Sequence, residues 1–198
     1  MDVDNSKLAE KMLLFLYSFS QTGTEININT FKRYIYLYYM SKKFLEKDDM
    51  DSVVIVLERG NIQIANFDTI LNDFESRDYL ICRDNIITIT DTLKITVMGL
   101  LDNQGYFSSL LKQIIPFVTL LQSYDDQFVF TIFFSEPTFT DASKRNLKEL
   151  KPQDSRLSKL LIKFKEKIAD EKIDNYDILS HWMDYVLKNY YESKEEVK

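Results

Sequence analysis

The 198-residue chain is 45% hydrophobic and 14% aromatic, enough apolar mass for a packed core, which excludes an intrinsically disordered chain. Its net charge of −6 argues against wholesale coating of nucleic acid, and its one cysteine, Cys82, excludes an intramolecular disulfide. The four glycines form no phosphate-binding array, so no nucleotide or other cofactor is expected.

In chain order, residues 6–19 read as a first helix, with Ser6 placed to cap it and Leu8, Met12, Phe15, Leu16 and Phe19 on a broad apolar face. Asn29 or Thr30 is placed to cap a second helix over residues 31–47. Tyr34, Tyr36, Tyr38 and Tyr39 crowd its surface. Four tyrosines exceed what one core stripe needs, so some of these rings are expected to meet a partner or another element of the chain. Residues 53–57 are β-branched and fit either a short strand or a helix start.

Residues 62–101 carry the most informative pattern. Phe67, Ile70, Leu71 and Phe74 recur at i, i+3, i+4 and i+7, one face of a helix. Residues 79–83 and 86–90 read as two strands around Asp84-Asn85, and Asp91 is placed to cap the next helix. Helix, tight hairpin and helix follow one another as in a winged-helix module. A DNA-reading helix needs a basic or amide-rich exposed face, whereas Asp68, Asp73, Glu75 and Asp78 stand here against Arg77. The expectation is an interaction platform, not a major-groove reader.

Beyond the break at Gln104-Gly105, residues 106–124 read as a long apolar helix that Pro116 kinks, and residues 128–134 as a buried strand closed by Glu136-Pro137. Helices are expected again over 145–150, 155–172 and 176–191. The expected class is α+β, predominantly helical, with a winged-helix-like module and additional C-terminal helices. A helical and winged-helix-like region spans 1–124, and a strand plus C-terminal helical region spans 125–198, packed as one unit. No uncharged apolar run is long enough to cross a bilayer, and the N-terminus lacks a secretory signal pattern. The expected address is therefore cytoplasmic, with no membrane contact.

Chemistry-bearing constellations are few. His181, the single histidine, sits beside Trp182 and reads as a surface or packing residue, which leaves no zinc centre; no nucleophile elbow surrounds a serine. Asp48-Asp49 and Asp125-Asp126 read as solvated caps and turns in preference to cation sites. No catalytic or metal-binding residue is assigned, and no enzyme is expected.

Charge is unevenly spread. Residues 1–141 hold 12 Lys and Arg against 20 Asp and Glu, and residues 142–198 hold 13 against 11. The stretch 144–167 is net +6, and Lys159, Lys163 and Lys167 are the candidates for contact with a DNA backbone. The competing reading is a solvated face paired to acids of this chain or of a partner. Trp182 joins the four tyrosines as a candidate partner anchor.

The order of Leu13-Leu14-Phe15-Leu16-Tyr17, Phe31-Lys32-Arg33-Tyr34-Ile35-Tyr36, the hairpin of residues 79–90 with its following helix, and the apolar run Phe128-Val129-Phe130-Thr131-Ile132-Phe133-Phe134 resembles the middle components of ABC-three-component systems, which include the Lamassu-type bacterial defence complexes. The resemblance implies a non-catalytic, winged-helix accessory subunit that joins an SMC-like ATPase to an effector such as a nuclease. DNA contact would then occur only within the complex. The rival expectation is a stand-alone winged-helix DNA-binding transcriptional regulator.

Overall fold

The computed structural model describes residues 3–45, 53–58, 61–103, 105–168 and 173–195. The protein is α+β and mostly helical, and its short strands form two antiparallel three-stranded sheets. The chain divides into two compact units, residues 1–35 with 64–123 and residues 36–63 with 124–198. Residues 36–63 therefore group with the C-terminal half, which differs from an expected division at 124.

The first unit contains α1 (Val3–Phe19), β1 (Glu25–Asn27) and the start of α2 (Ile28–Leu45). After residue 64 it continues with α3 (Phe67–Ser76), β4 (Leu80–Arg83), β5 (Ile86–Ile89), α4 (Asp91–Asn103) and α5 (Gly105–Gln122). The intervening strands β2 (Ile55–Glu58) and β3 (Asn61–Ile64) form the other sheet. Residues Phe67, Ile70, Leu71 and Phe74 are the buried face of α3, as the spacing predicts. The Asp84-Asn85 turn has φ of 49° and 67°, the paired left-handed conformation of a type I′ hairpin, which Asp and Asn tolerate better than other side chains. It sets β4 against β5 with Leu80 opposite Ile89 and Arg83 opposite Ile86. Strand β1 adds to the other edge of β5, pairing Ile26 with Ile87, so the sheet order is β1-β5-β4. Helix α1 packs on α4 and α5, burying Met12, Leu14, Phe15 and Leu16, and α5 runs through Pro116 to Gln122.

Three caps shift from their expected residues. Ser6 lies inside α1, where its hydroxyl donates to Glu10 at 3.4 Å. Asn27 precedes α2 and accepts from the Asn29 amide at 2.9 Å. Thr90 stands before α4 and receives the Leu93 amide at 3.5 Å, while Asp91, the first helical residue, pairs with Lys94 at 3.0 Å. For α2 and α4 the residue just before the first turn holds the capping position.

The second unit contains the rest of α2, the sheet β3-β2-β6, and helices α6 (Asp126–Ser135), α7 (Pro137–Arg145), α8 (Arg156–Ile168) and α9 (Asn175–Glu195). Strand β6 is Glu149–Leu150, and a 3₁₀ turn over Pro152–Asp154 leads into α8. Of the expected strand or helix start over 53–57, residues from Ile55 onward form the strand β2, with Ile55 opposite Leu150.

Two expectations fail here. The run 128–134 is the helix α6, not a strand. Asp125 caps it, accepting the Phe128 amide at 2.8 Å, and Val129, Ile132 and Phe133 are its fully buried apolar residues at helical spacing. Of residues 145–150 only Arg145 is helical, as the last residue of α7: Asn146 takes φ 54° and closes the helix, with the Leu147 amide reaching back to the Ala142 carbonyl at 2.9 Å.

Candidate interaction site

All five proposed partner anchors are packed inside the protein. Tyr34, Tyr36, Tyr38, Tyr39 and Trp182 are 4%, 0%, 0%, 1% and 7% exposed, so none of these rings is an accessible interface anchor. The tyrosines sit at i, i+2, i+4 and i+5, which spreads them around α2 instead of gathering them on one stripe. Every residue from Tyr34 to Lys42 is buried. A helix apolar on all sides is a core helix, and here tyrosine supplies much of its packing surface.

One of these rings enters a buried polar network in the second unit. The Tyr36 hydroxyl donates to Glu136 Oε2 at 2.6 Å. Glu136 ends α6 and caps α7: Oε2 also accepts the Phe139 amide at 2.7 Å, and Oε1 accepts the Thr138 amide at 2.9 Å and its hydroxyl at 2.7 Å. Thr138 Oγ1 in turn receives the Arg156 amide at 2.9 Å, the first residue of α8. Ser158 Oγ donates to the Met40 carbonyl of α2 at 2.7 Å, and Ser155 Oγ receives the Ser158 amide at 3.1 Å. Burial pushes the Glu136 carboxyl above its ordinary range, while the hydrogen bonds from Tyr36, Thr138 and Phe139 pull the other way. The Tyr36 hydroxyl is held well above 10.0, by burial first and by the adjacent Glu136 second. Every acceptor site on this carboxylate is used internally, so the network fixes α7 and α8 against α2 and presents no vacant group to a substrate.

The acidic surface of α3 is also internally engaged. Asp68 pairs with Lys32 at 3.0 Å and Asp73 with Arg77 at 2.9 Å, while Glu75 Oε1 accepts the Cys82 amide at 2.8 Å. The face remains carboxylate-rich and exposed. Among the described residues no group of three or more His, Cys, Asp or Glu is arranged to hold a metal ion, and no helix is long and apolar enough to cross a membrane. His181 is exposed on α9, Asp125 is the α6 cap, and Asp48-Asp49 lies outside the described residues.

Helix α8 carries the most distinctive exposed surface. Leu157, Ser158 and Leu161 face inward. On the outer side Arg156, Lys159, Leu160, Lys163, Phe164 and Lys167 line an open groove of about 490 Å³. The three lysines of the proposed DNA contact are therefore brought together on one row, joined by Arg156. Asp141 links Arg156 at 2.9 Å to Arg145 at 3.0 Å and fixes that end of the row. Lys165 points elsewhere, to Asn175 of α9. The residues that counting charges passes over are Leu160 and Phe164, 41% and 44% exposed beside the lysines. Helical spacing from 156 to 160 to 164 carries the signal that groups them.

No protein family, curated protein or solved structure matches the chain.

Proposed function

We propose that the chain is a non-catalytic adaptor subunit of a cytoplasmic SMC-type defence complex, joining an SMC-like ATPase to an effector subunit. The observation that carries the reading lies in the first unit. Helix, strand, helix, helix and hairpin follow one another there, with sheet order β1-β5-β4. This order supports a winged-helix-like module in which α3 occupies the recognition position. The exposed side of that helix presents Asp68, Asp73 and Glu75, which repel phosphates and suit contact with a protein. A stand-alone DNA-binding regulator needs the opposite charge on this face.

Purification of the native complex tests the reading. An ATPase chain and an effector chain should co-elute with this one in fixed ratio after nuclease treatment. Changing Asp73 to Ala together with Glu75 to Gln should weaken that association and leave DNA binding by the assembly intact. Elution of the chain alone, or duplex DNA binding lost through changes on α3, replaces the adaptor with the regulator.

A further inference from the structure

We propose that the outer groove of α8 docks an acidic amphipathic helical segment of a partner protein. The inference concerns the second unit and goes beyond the adaptor reading, which rests on the first. Two kinds of surface meet in the groove. Leu160 and Phe164 form an i, i+4 apolar pair left open to solvent, and Arg156, Lys159, Lys163 and Lys167 form a cationic row beside it, with no acidic residue among the described residues of the lining. Lys159, Lys163 and Lys167 are spaced at i, i+4 and i+8, a rise of about 6 Å between neighbours. A helix laid along α8 with Glu or Asp at the same interval meets each ammonium in turn, and its own apolar residues cover Leu160 and Phe164.

A nucleic-acid backbone satisfies only half of this surface. Phosphates match the lysines, but a duplex offers nothing to cover an aliphatic Leu160, and one phenyl ring is a poor platform for successive stacked bases. The chain's net charge of −6 also opposes the approach of a long polyanion more than that of a short acidic segment. The apolar half of the groove therefore decides between the two. Neighbouring contacts fix the shape of the site: Arg156 is held by Asp141, and α8 is pinned to α2 through Ser158. A preformed groove reduces the ordering penalty of docking.

The probe is a labelled synthetic peptide with Leu and Phe on one helical face and Glu at i, i+4 positions beside them, titrated into the full chain by fluorescence anisotropy. A shuffled peptide of equal composition and a labelled DNA duplex run in parallel. The amphipathic peptide should bind and the shuffled one should not. Lys159→Glu with Lys163→Glu should weaken binding at least roughly tenfold, and Phe164→Ser should do so without altering the salt dependence. A peptide with Lys in place of Glu should recover affinity for the charge-reversed variant, which a merely unfolded protein would not show. Absence of peptide binding, or binding insensitive to these changes, overturns the proposal. Duplex binding lost with the lysines but indifferent to Phe164→Ser gives the groove to a nucleic-acid backbone. A chain that co-elutes with an ATPase yet ignores the peptide defeats the groove alone, and peptide binding by a chain that elutes alone defeats the adaptor alone.

Discussion

Tyr36 of α2 and Glu136 at the α6–α7 junction share a 2.6 Å hydrogen bond, and both side chains are fully buried. Removing either partner has unequal consequences. Glu136→Ala strips an acceptor from two backbone amides and two hydroxyls at once, and should destabilise the protein by about 3 kcal/mol or more. Tyr36→Phe removes one donor and leaves the carboxylate with three, for a loss of about 1–2 kcal/mol. Denaturant unfolding of the two variants checks the order; equal losses would contradict the network.

The same carboxyl makes stability depend on pH in a defined direction. Burial holds it above its ordinary value of 4.5, so the folded protein binds its proton more readily than the unfolded chain. Its contribution is fully present below 4.5 and is lost as pH rises through the raised folded value. Unfolding midpoints of the wild type relative to Glu136→Gln, measured from acid to neutral pH, should therefore fall with rising pH. A constant difference across that range excludes the effect.

Helix α6 makes a prediction that a strand would not. Period-two alternation puts Phe130 and Ile132 on one face, whereas the helix buries Ile132 completely and leaves Phe130 at 44% exposure. Ile132→Ala should cost about 3 kcal/mol and Phe130→Ala under about 1 kcal/mol. Comparable losses by thermal or denaturant unfolding would favour the extended reading.

The hairpin turn offers a fourth check. Asn85 has φ 67°, so Asn85→Gly should be neutral or stabilising and Asn85→Val should cost about 1 kcal/mol or more through backbone strain. Calorimetric midpoints that rank Val above Gly would contradict the turn geometry.

What the sequence made legible was local. The buried face of α3 and the Asp84-Asn85 hairpin announce themselves within a dozen residues, because periodicity and turn chemistry are both short-range signals. Pairings such as Ile26 with Ile87 and Ile55 with Leu150 were not legible: β1 has three residues and β6 two, too few for any pattern, and their partners lie far along the chain. In α6 an almost wholly apolar run masked the period, and the decisive signal was the flanking Asp125 cap with Glu136-Pro137, since a residue before proline resists the helical conformation. The tyrosines of α2 misled because each ring was weighed as excess over one stripe, whereas the helix is buried on every side from Tyr34 to Lys42. On α8 the lysines were legible as charge, and Phe164 and Leu160 emerged only once helical placement set them beside the row.

The interleaving of the two units sets an order of events during translation. Residues 36–63 leave the ribosome before residues 64–123, yet they belong with residues 124–198, so the first unit can close while the tyrosine-rich half of α2 and strand β2 still await their partners. Until Glu136 and Leu150 have been synthesised, Tyr36 lacks its acceptor and Ile55 its opposite strand. The nascent chain thus carries a largely apolar helix and an unpaired β edge through about half of its synthesis, the interval in which a holding chaperone has most to protect.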